Sequence, residues 1–299
     1  MHLMVTFALT VPKWGNHFLG WQMWGWGLLG GAASLTSPAI LFAWLAMTLR
    51  YVCLQVSENR KRVRTVPASD GATSKFATIR DLVFAVFIAF TIQMPWLIRN
   101  YLCFSTIVPI KTNGLFELEQ SLLRDDDGVL DFRRNVNHPY SDMTEAKKHA
   151  SVGEIDYVRE RAELLKSRFW ENKWLYAKHC SNRIIAMLFW ILPPNPGDEA
   201  YIWYRFVQVL YALPWIVFLS SLGTRIPITT SQRSVLLLAG AYLLPYALLS
   251  YYSHYMIPLM GIRCLVLIWG IMRWSKWLRH RRFLSRVRVE FVSGTDGSY

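Results

Sequence analysis

Leu82-Val-Phe-Ala-Val-Phe-Ile-Ala-Phe-Thr-Ile-Gln-Met-Pro-Trp-Leu97 carries no charge and nearly no polar group. It leads directly into Ile98-Arg99-Asn100-Tyr101, where polar character returns. A bilayer core needs about 20 mostly apolar residues per helix, and this run with its flanks meets that length. Tyr201 to Leu222, Val235 to Tyr252 and Tyr255 to Trp274 repeat the pattern. Phe18 to Leu35 and Ala39 to Val56 add two further runs, rich in Gly and Trp and separated by Thr36-Ser37-Pro38. So many near-continuous runs do not suit a soluble core, and the sequence predicts an all-α polytopic membrane protein with six spans.

The 14 tryptophans support the same reading. Trp21, Trp24, Trp96, Trp203, Trp274 and Trp277 lie at the ends of the runs, where an amphipathic ring prefers the headgroup level. Trp44, Trp215 and Trp269 fall further inside and suit core packing. The net charge of +13 is concentrated in two patches beside spans. One is Arg60-Lys61-Arg62-x-Arg64, and the other is the tail with Lys276, Arg279, Arg281, Arg282, Arg286 and Arg288. Juxtamembrane clusters of this kind set topology and attract anionic lipids, so nucleic acid is set aside as a partner.

Orientation follows from those patches, because short basic loops stay cytoplasmic. Residues 1–99 then form amino-terminal membrane helices with a basic cytoplasmic loop at 57–80. Residues 100–199 form an extracytoplasmic loop, 200–274 the carboxy-terminal helices, and 275–299 a basic cytoplasmic tail. Residues 1–11 are apolar but lack the charged leader and cleavage site of a secretory signal. Cys53, Cys103, Cys180 and Cys264 show no metal spacing, and a disulfide between Cys103 and Cys180 is left open.

Within the outer loop, Leu115 to Ala150 shows little periodicity. Asp125-Asp126-Asp127-Gly128 suits a turn better than a hard-cation site, which would need spaced oxygen ligands. No metal or cofactor is assigned. Ser151-Val-Gly-Glu154 reads as a capping box, and Ile155, Val158, Ala162, Leu165 and Phe169 follow at helical spacing. The sequence therefore predicts one interfacial amphipathic helix over about 152–192, with aromatic residues increasing along it before Pro193-Pro194-Asn195-Pro196-Gly197.

Intramembrane arginines mark functional sites by default. Arg99 sits at the outer exit of its helix, Arg205 near an outer start, and Arg263 about 13 Å along its helix from the outer face. Their guanidinium forks match phosphate oxygens, while snorkelling to the interface is the competing reading for Arg99 and Arg205. Arg50, near an inner end, is read as snorkelling. His254 lies at the outer edge; Gln93, Glu117 and Glu119 have no assignable role.

Several segments resemble one family. Pro95-Trp-x-x-Arg99-Asn100-Tyr-x-x-Phe104, followed by Val108-Pro-Ile110 and Thr112-Asn113-Gly114, looks like the helix exit and outer-loop entrance of the bacterial polyprenol-dependent glycosyltransferases. These are related to the protein O-mannosyltransferases and the aminoarabinose transferases and share the C-type membrane fold. Gly27 to Pro38 looks like the family's glycine-rich helix pair, Asn137-His138-Pro139 like a His-Pro of its outer loop, Glu154 to Trp190 like its charged helix, and His254 to Leu259 like a later span. The resemblance implies transfer of a sugar from a polyprenyl-phosphate donor at the outer face of a bacterial cytoplasmic membrane. Taken with the intramembrane arginines and the outer-edge histidine, it leads to Arg99, Asn100, Asn113, His138, Arg205, His254 and Arg263 as the expected substrate contacts.

The departures matter as much. Family members carry a catalytic carboxylate in the first outer loop, yet no Asp or Glu precedes Glu58 here. His254 and Met256 stand where the family has arginines, and Ser37 where it often has Lys or Arg. No catalytic residue is assigned, and the chain by itself is expected to show no turnover. The expectation is a transferase that needs an amino-terminal catalytic half. The alternative is a non-catalytic membrane subunit binding polyprenyl lipid or a partner transferase. A transporter fits less well, because two matching halves are missing.

Overall fold

The computed structural model describes residues 3–6, 20–63, 71–108, 114–123, 127–129, 139, 142–189 and 200–293. They are almost wholly helical, with no strand among them. In chain order the helices are α1 (Gly20–Thr36), α2 (Pro38–Val63), α3 (Gly71–Phe104), α4 (Gly114–Leu123), α5 (Met143–Val152), α6 (Glu154–Phe169), α7 (Lys173–Phe189), α8 (Ala200–Leu222) and α9 (Thr230–Leu248). A 3₁₀ segment, Ser253–Leu259, then leads into α10 (Met260–Ser293).

Four stretches are long and apolar enough to cross a membrane: Pro38–Ser57, Leu82–Phe104, Trp203–Leu222 and His254–Arg281. They match four of the six predicted runs. The other two correspond to α1, with 17 residues, and α9, with 19, whose first turn is Thr-Ser-Gln-Arg. Exposed Val83, Phe87 and Phe90 on α3, and exposed Trp203, Phe206, Val209 and Leu210 on α8, form apolar faces of the kind lipid covers.

The chain divides into two compact units, 1–187 with 230–255, and 188–229 with 256–299. In the first, α1 packs on α2 and α3, and α9 packs on α2. The α1–α3 contact depends on two glycines four residues apart. A Cβ at Gly27 would meet the Ala85 carbonyl at 2.7 Å, and one at Gly31 would meet Ile92 Cβ at the same distance. Small residues at this spacing let helix backbones approach closely where lipid supplies no hydrophobic drive. Gly30 gives the Trp44 ring its space. The Trp44 indole N–H donates to the Trp26 carbonyl at 2.9 Å, and Trp26 Nε1 donates to Thr48 Oγ1 at 2.9 Å.

In the second unit α8 packs along α10. Gly270 makes the crossing possible, since a Cβ there would lie 2.9 Å from the Phe218 backbone nitrogen. Pro95, Pro214 and Pro245 sit inside α3, α8 and α9 without ending them.

The predicted loop contains more helix than its sequence pattern suggests. α5 starts at Asp142, whose carboxylate accepts from Thr144 N at 2.8 Å and Glu145 N at 3.4 Å. Ser151 lies inside α5 and donates to the Lys148 carbonyl, so the expected capping box is not formed. Gly153, at φ 83°, ends α5 and precedes α6. The single helix expected over about 152–192 is two helices, broken at Trp170–Asn172. The buried face of α6 is Tyr157, Arg161, Ala162 and Leu165, so a charged residue shares the apolar side. All four cysteines are free thiols, and no disulfide joins Cys103 to Cys180.

Candidate functional site

Glu117 stands in the first turn of α4, where the helix dipole favours a carboxylate. Leu118 and Leu122 of the same helix pack with Leu165, and Leu249, just past α9, packs against that group. This packing brings Glu117 to the non-helical segment after α9, where Ser250 donates its hydroxyl hydrogen to Glu117 Oε2.

Beyond Ser250 the chain presents a group of aromatic rings. Tyr246 stacks on Tyr255 with centroids 4.1 Å apart, Tyr252 meets Tyr255 edge-on at 5.6 Å, and His254 meets Tyr255 at 4.4 Å. Tyr242 fixes the group by donating to the Tyr255 carbonyl at 3.1 Å. The Glu117 carboxylate is within electrostatic reach of the Tyr255 phenol. A carboxylate, a hydroxyl and several aromatic faces in one place can hold a polyol and take a proton from it.

Two buried networks hold α4 in position. Arg183 of α7, fully buried, donates from Nε to the Gly128 carbonyl at 2.8 Å, from Nη1 to the Ala247 carbonyl at 2.9 Å, and from Nη2 to Ser121 Oγ. It ties α7 to α4, to the 127–129 turn and to the end of α9. His179, one helical turn earlier and also fully buried, faces the Ser121 carbonyl from Nδ1 at 2.9 Å. A carbonyl can only accept, so Nδ1 donates, and Nε2 is buried with no hydrogen-bond partner among the described residues. Gly128, at φ 79°, lies against this ring; a Cβ there would come within 2.4 Å of His179 Cβ.

The second network joins α4, α5 and α6. Arg161 pairs with Glu145 of α5 and lies 3.8 Å from Glu119 Oε1, while Tyr157 donates to Glu145 Oε2 at 2.8 Å. The hydrogen bond from Arg161 holds the Glu145 carboxyl below its ordinary value, against the opposing pull of burial. Burial and the bond to Glu145 push the Tyr157 phenol up to about 12. For Arg161, burial favours the neutral form, but its bonds to Glu145 and Tyr157 outweigh that and raise its pKa.

The residues singled out from sequence fall in different surroundings. Arg99 is exposed, lies 5.4 Å from the Trp96 ring centre and reaches Asn100 Oδ1 at 3.4 Å. Asn100 is buried and donates to the Val108 carbonyl at 3.0 Å, closing the turn after α3. Arg205 is exposed on α8. Arg263 is buried; it donates to the carbonyls of Tyr211 at 2.8 Å and Leu188 at 3.2 Å, and lies 3.4 Å from the Tyr211 ring centre. Arg50, expected to snorkel, donates to Ser234 Oγ at 3.2 Å. His254 belongs to the aromatic group above. Asn113 and His138 lie outside the described residues, as do Asp125 and Asp126. Asp127 accepts from Val129 N at 2.8 Å, a turn geometry. Among the described residues no group of three or more His, Cys, Asp or Glu is placed to hold a metal ion.

Sequence reasoning noted Glu117 without a role and passed over Ser250, which lies 133 positions away. The Tyr-rich composition of 242–255 was the available signal. Comparison with protein-family models, curated proteins and solved structures finds no match to this chain.

Proposed function

We propose that this protein is a membrane-embedded, glycosyltransferase-like protein that moves a sugar from a polyprenyl-phosphate donor to a hydroxyl acceptor at the outer face of a bacterial cytoplasmic membrane. The observation that carries the reading is Glu117, hydrogen-bonded to Ser250 beside Tyr246, Tyr252, His254 and Tyr255. It supports a carboxylate at a position other than the one the family likeness implies. In this scheme Glu117 takes the acceptor hydroxyl proton, the acceptor oxygen bonds to the anomeric carbon, and the bond from that carbon to the phosphate oxygen breaks. Polyprenyl phosphate leaves with the electron pair. The tyrosine faces orient the sugar, and Arg99, exposed in the same unit, is available to the donor phosphate.

A second reading, a non-catalytic subunit that binds polyprenyl lipid, is favoured by Arg263. Its guanidinium is engaged by two backbone carbonyls and a tyrosine ring rather than displayed to a ligand. The full chain in lipid nanodiscs, given a polyprenyl-phosphate sugar and assayed for sugar transfer or release, distinguishes the two. The sequence alone leads to an expectation of no turnover; with Glu117 as the base we expect turnover, falling at least about a hundredfold in Glu117→Gln, the range a positioned general base supplies. Donor binding without turnover supports the subunit reading, and neither binding nor turnover removes both.

A further inference from the structure

Arg273 lies on α10, 4% exposed, against the last turn of α8. Its Nε donates to Ser221 Oγ at 3.1 Å and its Nη2 reaches the Ser221 carbonyl at 3.4 Å. Nη1 is buried and has no hydrogen-bond partner among the described residues. No carboxylate among the described residues pairs with it. A buried guanidinium is costly unless an anion and a full set of acceptors meet it. The end of the α8 dipole offsets part of that cost, but Ser221 and Thr224 do not supply the missing acceptor. Their oxygens keep lone pairs free to accept, but neither receives a hydrogen from Nη1.

The surroundings identify a membrane surface. Trp274, next in sequence, donates to Ser220 Oγ at 3.2 Å and meets Trp277 edge-on at 5.3 Å. Arg281 lies 4.3 Å from the Trp277 ring centre. Arg225, Lys276 and Arg279 are exposed on the same two segments, 223–229 and α10. Tryptophans and cations at one end of an apolar helix mark the headgroup level, where phosphates are abundant. We propose that Arg273, with the exposed cations beside it, forms a binding site for a phosphate group, supplied by an anionic phospholipid, at the α8–α10 end of the second unit. The phosphate oxygens would accept from Nη1 after a small outward movement of the guanidinium, and the tryptophans would hold the glycerol and upper acyl region. The site is separate from the sugar-transfer reading and does not depend on it.

The test uses the full chain in nanodiscs of phosphatidylcholine with and without phosphatidylglycerol, with co-purified lipid counted by native mass spectrometry. Retention of phosphatidylglycerol over phosphatidylcholine is expected, together with photo-crosslinks from a photoactivatable phosphatidylglycerol into the tryptic region around Gly270–Trp277. Arg273→Gln is expected to lower that preference about tenfold, the size of a charge-assisted hydrogen bond. No preference in the natural protein, or crosslinks confined to the tail beyond Arg281, overturns the proposal, and both are read without any variant. A preference unchanged in a folded Arg273→Gln protein overturns it too. Displacement of the lipid by millimolar inorganic phosphate would assign the site to free phosphate instead.

Discussion

Gly128 shows how one backbone angle in a turn can set the packing of a residue 51 positions away on α7. At φ 79° it occupies a region that L side chains rarely adopt, and its Cα lies against the buried His179 ring. Gly128→Ala is expected to destabilise the protein by about 2–4 kcal/mol, combining backbone strain with overpacking, read as a lowered thermal midpoint in detergent. The Glu145–Arg161 pair supports a pH-dependent expectation. Glu145 is held below its usual value of 4.5, so its contribution is complete above that value in the unfolded chain and is lost as pH falls through the lower, folded value. Thermal melts from pH 7 down to pH 3 should show a decline below about pH 4.5 that Glu145→Gln largely removes. Arg161→Met, which removes the cation facing both Glu145 and Glu119, is expected to cost about 3 kcal/mol at neutral pH.

At the level of elements, the apolar runs could be read from sequence because length and composition alone decide them, and four reappear as candidate membrane-crossing helices. The loop was less legible for local reasons. Ser151 and Glu154 have capping-box spacing, but Asp142 starts a helix nine residues earlier that swallows Ser151, and Gly153 supplies the break. The alternation in α6 located its apolar face but not Arg161, whose place there depends on Glu145 and Glu119 from two other helices. Glu117 and Ser250 were illegible for the same reason: their contact depends on how α4 seats against Leu249. The α1–α3 contact was legible in principle from Gly27-x-x-x-Gly31. Gly31→Leu should disrupt it, since even a Cβ would lie 2.9 Å from the Ala89 carbonyl. The check is loss of a crosslink between cysteines placed on the two helices, with reduced expression as a second readout.

For the whole molecule, the orientation drawn from the basic patches makes a labelling prediction with residues already present. Cys103 is exposed at the end of α3, and Arg279 is exposed on the polar end of α10. In intact cells a membrane-impermeant maleimide is expected to label Cys103, in a protein whose other cysteines are replaced by serine. An Arg279→Cys protein lacking the natural cysteines should react only after the membrane is permeabilised. The reverse pattern would invert the topology and move Glu117 and its tyrosines to the compartment where the proposed donor is not presented. The division into two units also bears on how the chain is made. Residues 188–229 and 256–299 complete one unit, yet 230–255 of the other unit are synthesised between them. When α8 leaves the ribosome, α10, which supplies its packing surface, has not been translated. Until its mate arrives, the α8 backbone at Phe218 that later receives Gly270 is uncovered, so a chain halted before residue 256 is expected to be degraded faster than the full protein.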